Sequence, residues 1–212
     1  MGNIYKILGV LLFVFLLKVP QLSYGQEQAA VRILLFGDSI VAGYRHAAHD
    51  KLDRQLESML RQRGHLVNVI NAGISGDTTG GGVNRIKSTI ERYKPHITLI
   101  ALGGNDLLRR VDPKIVRRNV DSMLRISRET GAYVILSAVV APASNGVQYQ
   151  RGFNAIYPEL ASKYSVPLYP FLIQSTYGRG DLMQSDGVHP SAKGTKLIAQ
   201  ELAAYFSAGL KK

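Results

Sequence analysis

Four short stretches hold residues that could do chemistry together. Ser39 lies in "FGDSIVAGY", directly after an apolar run, Gly76 in "NAGISGDT", Asn105 in "LGGND", and His189 in "DGVHP", three residues after Asp186. A serine hydroxyl becomes a useful nucleophile when a base active near pH 7 takes its proton. The chain has five histidines. His46 and His49 fall near the start of a charged helical stretch and read as surface residues. His65 and His96 stand at the starts of expected strands. His189 differs, because it sits in a loop before the last helix with a carboxylate in reach. A tight turn through Gly187 brings Asp186 back to the imidazole, where it fixes the tautomer and stabilises the imidazolium. Plainer readings stand beside these. Ser39 serves equally well as a helix N-cap, and Asp186 to His189 as a capped loop with a solvated histidine.

A nucleophile attacking an ester also needs donors for the oxyanion, each worth roughly a hundred- to a thousandfold in rate. The backbone N–H groups of Gly76 and Ser39 and the side-chain amide of Asn105 are candidates. An ordinary strand-to-helix turn and a turn-forming asparagine are the alternatives. Other chemistries fail on detail. "GGND" is no dinucleotide fingerprint, "GDTTGGG" lacks a phosphate-binding lysine, and no G-x-S-x-G elbow occurs. Asp38, Asp77, Asp106 and Asp186 could be imagined as a cation site, but no cluster has clear metal-ligand spacing. Neither a metal nor a cofactor is expected.

These residues must be positioned by alternating strands and helices. Apolar runs at 31–37, 65–73, 96–106, 131–140 and, punctuated by proline, 166–171 read as strands. Between them, helical spacing runs from 46 to 63 through Leu52, Leu56, Met59 and Leu60, and again over 81–93. Asp112 and Pro113 open a helix with Ile115, Val116, Val120, Met123 and Leu124 on one face; 148–164 is helical with a bend at Pro158; Ser191 caps the last helix. This alternation predicts an α/β domain with a mostly parallel five-stranded sheet between two helix layers. In such sheets ligands bind at the carboxyl ends of the strands. The segments "GDS", "NAGISGDT" and "GGND" each fall there.

Composition limits the class. The 212 residues, 46% hydrophobic and 19% charged, suit one globular domain. Residues 7–17 are an uncharged apolar run, shorter than the roughly 20 residues that span a membrane. With Lys6 before it and Ser23 and Gly25 after it, the run reads as a signal peptide over 1–25, with an uncleaved anchor as the alternative. The remaining domain, 26–212, would be periplasmic or secreted. With no cysteines it forms no disulfides and depends on its core. Setting aside residues 1–25, which hold Lys6, Lys18 and no acid, takes the net charge from +11 to +9. The basic residues are scattered, without a stripe of interleaved aromatics, so nucleic acid is not an expected partner.

The four blocks, in this order, resemble the SGNH (GDSL-type) hydrolase family. The longer stretches "GDSIVAGYR", "LGGNDLLR", "FNAIYPELASKYSVPLYPF" and "SDGVHP" are similar to its bacterial periplasmic subgroup of thioesterase I, lysophospholipase and arylesterase. The likeness covers most of residues 31–206. It implies a flavodoxin-like three-layer α/β/α sandwich, a catalytic triad of Ser39, Asp186 and His189, and an oxyanion hole of the Ser39 and Gly76 amides with Asn105. It implies cofactor-free hydrolysis of acyl esters and thioesters. The expected partner is a small acyl ester or thioester, lysophospholipids among them. Nothing in the sequence demands more than a monomer, and at most transient membrane-surface contact is expected. Three segments depart from the pattern: the glycine-rich "TTGGGVNRI", the arginines of "LLRRVD" and the charged "HAAHDK". They bear on acyl length and headgroup. A carbohydrate O-acetylesterase on the same scaffold is the nearest rival, and a non-catalytic lipid- or glycan-binding module a more distant one.

Overall fold

The computed structural model describes residues 29–210; residues 1–25, expected as a signal peptide, lie outside it. Its centre is a five-stranded sheet of β1 (Val31–Gly37), β2 (Val67–Gly73), β3 (Ile97–Ala101), β4 (Tyr133–Ser137) and β5 (Leu168–Tyr169). All pairs are parallel and the order is β2-β1-β3-β4-β5. The order reverses beside β1, and at such a switch point the loops leaving the strand ends diverge to leave a crevice.

The unbroken apolar run of β1 follows from burial on both faces. Ile33 and Leu35 point to a layer formed by α2 (Leu52–Gln62) and α8 (Ala192–Gly209), meeting Leu52, Leu56, Ile198 and Leu202. Leu34 and Phe36 point to the opposite layer, built from α3 (Thr79–Tyr93), α5 (Pro113–Glu129), α6 (Val147–Asn154) and α7 (Ile156–Tyr164). Each fully buried Leu, Ile or Phe contributes ~1.5–3 kcal/mol of transfer free energy. The two cores hold the strand ends, and hence the loops, in place.

Several expected boundaries shift, each for a local reason. The strand expected over 96–106 stops at Ala101. Gly103 then turns at φ 126°, and a short helix α4 (Gly104–Leu108) follows. The helical stretch from 46 becomes a 3-10 turn at Ala48–Asp50 and then α2. The bend assigned to Pro158 is a break between α6 and α7, with Ala155 between them. Pro158 has no N–H for the Asn154 carbonyl and its ring crowds that turn. β5 is only two residues long, because Pro167 and Pro170 flank it without ladder donors. Asp112 caps α5 ahead of Pro113, and Ser191 caps α8, as read from the sequence. Ile115, however, is exposed, unlike the rest of the α5 face.

Candidate active site

The turn after β1 carries Ser39. Gly37 and Gly73 are register partners on neighbouring strands. A Cβ on Gly73 would overlap the Ala42 amide, so α1 (Ser39–Ala42) can lie tight across the strand ends. Ser39 is not the N-cap that its type suggests. Asp38 holds that position, its carboxylate accepting from the Ile40 N–H at 3.1 Å, and Ser39 is already helical. The Ser39 hydroxyl is thereby left for another partner, His189 Nε2 at 2.8 Å. Asn71 of β2 anchors the other end of α1, donating to the Val41 carbonyl at 2.7 Å. Burial pushes the Asp38 carboxyl up to about 6, against the pull of the Ile40 N–H and the His189 charge.

His189 arrives from the far end of the chain. Gly187 adopts φ 66°, a left-handed turn that suits glycine. Asp186 Oδ1 accepts from the backbone N–H groups of Val188 (2.9 Å) and His189 (3.0 Å), while Oδ2 meets His189 Nδ1 at 2.8 Å. The His189 backbone N–H, then its ring, hold the Asp186 carboxyl down at about 2. The carboxylate is therefore charged wherever the imidazole needs a fixed tautomer.

Two supports of this loop were not singled out from the sequence. Gln184 donates from its backbone to the His189 carbonyl at 2.7 Å, and from its side chain to the Tyr44 and Pro190 carbonyls at 3.0 Å each. The Tyr44 ring packs on the imidazole, centroids 4.5 Å apart. His46 corrects an expectation. It is half-buried, its Nε2 lies 3.0 Å from Thr195 Oγ1, and burial lowers its pKa.

Asn105, in the first turn of α4, lines a cavity of about 280 Å³ together with Ser39 and His189. Its neighbour Asp106 is buried and ties the turn to α3. Oδ2 accepts from the Thr79 N–H at 2.8 Å and Oδ1 from the Thr79 hydroxyl at 2.7 Å, with Asn119 donating to that hydroxyl at 3.0 Å. Gly76 sits on the exposed β2–α3 loop at φ 79°, outside the cavity lining, and its carbonyl accepts from Arg109 at 3.1 Å. The four aspartates imagined as a cation site have other occupations. Asp38 caps α1, Asp77 pairs with Arg85, Asp106 holds Thr79 and Asp186 holds His189.

The cavity has largely apolar walls. Leu107, Leu108, Val139, Val140, Phe171 and Tyr177 surround it, and Leu108, Val140 and Tyr177 remain well exposed at its mouth. Its volume is near the lower end of small-ligand sites, roughly 300 Å³. A hydroxyl, an oriented imidazole and an amide thus face one apolar hollow, an arrangement competent for acyl transfer.

Comparison with known proteins identifies the family and the fold. The profile of the GDSL-like Lipase/Acylhydrolase family matches residues 35–197. An arylesterase of Vibrio mimicus is 35% identical over 177 residues, covering 84% of this chain and 88% of that protein. The thioesterase 1/protease 1/lysophospholipase L1 of Escherichia coli (strain K12) is 35% identical over 175 residues, 82% of this chain and 83% of its own. Among solved structures, the psychrotrophic esterase EstA from Pseudoalteromonas sp., inhibited by monoethylphosphonate, superposes with a TM-score of 0.80 at 29% identity, over 85% of this chain and 99% of that one. The chain belongs to the GDSL-like lipase/acylhydrolase family and is a hydrolase of ester bonds built on the SGNH-type α/β fold.

Proposed function

We propose that this protein hydrolyses acyl esters and thioesters through Ser39, His189 and Asp186. The observation that carries the reading is the unbroken hydrogen-bond chain Ser39 Oγ–His189 Nε2–Nδ1–Asp186 Oδ2, with 2.8 Å at both links, opening onto an apolar cavity. His189 removes the Ser39 proton as Oγ attacks the acyl carbonyl. The carbonyl oxygen becomes an oxyanion, received by the Ser39 and Gly76 amides and the Asn105 side chain. His189 then gives its proton to the leaving alcohol or thiol, and an acyl-enzyme remains. Water, deprotonated by His189, attacks that ester, and collapse returns the proton to Ser39 and releases the acid.

The apolar walls favour an acyl chain longer than acetyl, with a lysophospholipid within the class. Residues 1–25 serve as a cleaved signal peptide, and 26–212 form one exported domain that acts as a monomer, touching membrane surfaces only transiently. N-terminal sequencing of the exported protein checks the cleavage.

The chemistry is tested with p-nitrophenyl esters of graded chain length, on wild type, Ser39→Ala and His189→Ala, alongside labelling by an organophosphonate ester. Loss of turnover in both variants, and labelling that disappears with Ser39, is the expected result. Wild-type rates in both clean variants would overturn the triad. Activity confined to acetyl esters would move the protein to the carbohydrate O-acetylesterases.

A further inference from the structure

The glycine-rich segment after Gly76 ends at Arg85, in α3, a residue outside the chemistry described above. Its side chain is only 18% exposed and reaches three acceptors from three segments. Nη2 donates to the Gly37 carbonyl at 2.9 Å, Nη1 to the Ala72 carbonyl at 2.8 Å, and Nε to Asp77 Oδ2 at 2.8 Å. The guanidinium lies over the Phe36 ring, 3.8 Å from its centroid. Gly37 precedes the nucleophile by two residues, and Ala72 and Asp77 bracket Gly76.

We propose that Arg85 is the positioning residue that sets the spacing between the two backbone donors, the Ser39 and Gly76 amides. The proposal rests on the reading of those amides as the oxyanion site. One planar, fork-shaped cation fixes both loops at once, a task a lysine ammonium with its single point of charge cannot copy. The Ile74 N–H also donates to the Gly37 carbonyl, at 3.1 Å, so the strand ends are joined up to that point. Between Ile74 and Thr79, which is anchored on Asp106, the Gly76 loop is otherwise held by its own turn and by the exposed Arg109. A misplacement of about 1 Å at a reacting centre costs on the order of a hundredfold in rate.

The run of glycines becomes intelligible on the same ground. A Cβ on Gly81 would overlap Asp77 Oδ1, the carboxylate that receives Arg85 and also holds the Thr78 N–H at 2.9 Å. A Cβ on Gly82 would press on Leu102 and Met123 in the core. A Cβ on Gly80 would come no nearer than 3.7 Å to any neighbour. Gly81 thus serves the Asp77–Arg85 pair, Gly82 serves packing, and Gly80 is spare.

The test compares steady-state p-nitrophenyl ester hydrolysis by the full chain with Arg85→Lys, Arg85→Ala, Gly81→Ala and Gly80→Ala, assayed well below each melting temperature. Arg85→Lys and Gly81→Ala are expected to lose about tenfold or more in kcat with KM little changed. Methylguanidinium is expected to restore part of the Arg85→Ala rate, and Gly80→Ala to match wild type. The amide resonances of Ser39 and Gly76 should shift in Arg85→Lys while those of β4 stay in place. Gly81→Ala reaches Asp77 without removing a half-buried charge, so it remains informative if Arg85→Ala does not fold. Folded variants with wild-type kcat and unmoved Ser39 and Gly76 amides would overturn the proposal. An inactive wild type would count against the oxyanion reading, and the amide shifts would still decide whether Arg85 positions the two loops.

Discussion

The loop that delivers His189 and the loops that carry Gly76 and Asn105 are built on different principles. In the first, the backbone supports come from within a few residues, and only Tyr44 reaches it from afar. Asp186 binds the backbone two and three residues ahead, Gly187 makes the turn, and Gln184 closes it onto the His189 carbonyl. In the second, the supports come from far along the chain. Asp106 reaches Thr79, Thr79 reaches Asn119, and Arg85 reaches Gly37. The proposed base thus sits in a self-organised turn, whereas the proposed donors depend on the packing of α3 against the sheet. Strain or looseness in the α3 layer should therefore reach the donors before it reaches the base.

The same kind of substitution in each region sharpens this contrast. Asp186→Asn keeps an oxygen for the Val188 and His189 amides but puts an amide against Nδ1, favouring the wrong tautomer. Its kcat is expected to fall about ten-thousandfold, while the melting temperature falls by only a few degrees. A melting temperature that collapses would show that the turn is less self-sufficient than its bonds suggest.

Asp38 joins the two regions, capping α1 between them, and its effect is read through pH. The carboxyl rises from 3.8 to about 6 on folding, so between these values the folded state holds the extra proton. Stability from this group is greatest below pH 3.8 and is lost as pH rises through 6. Asp186, held down at about 2, acts with the opposite sign, and its contribution disappears only as pH falls toward that value. His46, with its lowered pKa, costs stability as acid protonates the unfolded chain first. The difference between wild type and Asp38→Asn isolates Asp38. Asn keeps the cap oxygen, and its relative gain is expected to grow by about 2 kcal/mol between pH 4 and 7 in urea titrations. A difference that stays flat with pH would mean Asp38 is not buried as a charge.

Asp106→Asn is the counterpart to Asp186→Asn in the long-range region. One acceptor for Thr79 becomes a donor, leaving a buried N–H unpaired, at a cost of about 1–3 kcal/mol. Here both melting temperature and kcat should fall, since Asn105 rides on the same turn. Intact stability would remove the distinction between the regions. The smallest effect expected is at Thr98 in the central strand β3. Its hydroxyl is buried with no hydrogen-bond partner among the described residues. Thr98→Val should raise stability by about 1 kcal/mol and leave turnover alone.

What could be read beforehand follows the same division. The run of β1, the Asp112–Pro113 start of α5, the Ser191 cap and the Asp186–His189 pair are each encoded in adjacent residues. The cap of α1 was misassigned because Asp38 and Ser39 are neighbours of nearly equal capping strength, and backbone angles choose between them. His46 read as a surface residue because its partner, Thr195, lies 149 positions away. Gln184, Asp106 and Arg85 carry no local mark of their roles, and the "GGG" stretch revealed only that side chains were unwelcome there.

By itself, the sequence determined which residue types stand at which strand ends, because apolar periodicity and turn chemistry act over a few positions. That was enough to bring Ser39 and Asn105 to the carboxyl ends of a parallel sheet, and to pair Asp186 with His189 in one turn. Tertiary structure alone decided that Asp38 would take the cap and leave the Ser39 hydroxyl to His189. It also decided that one guanidinium would join Gly37, Ala72 and Asp77. The physical reason is that a hydrogen-bond acceptor is available wherever the backbone runs, and only packing determines which buried donor meets it.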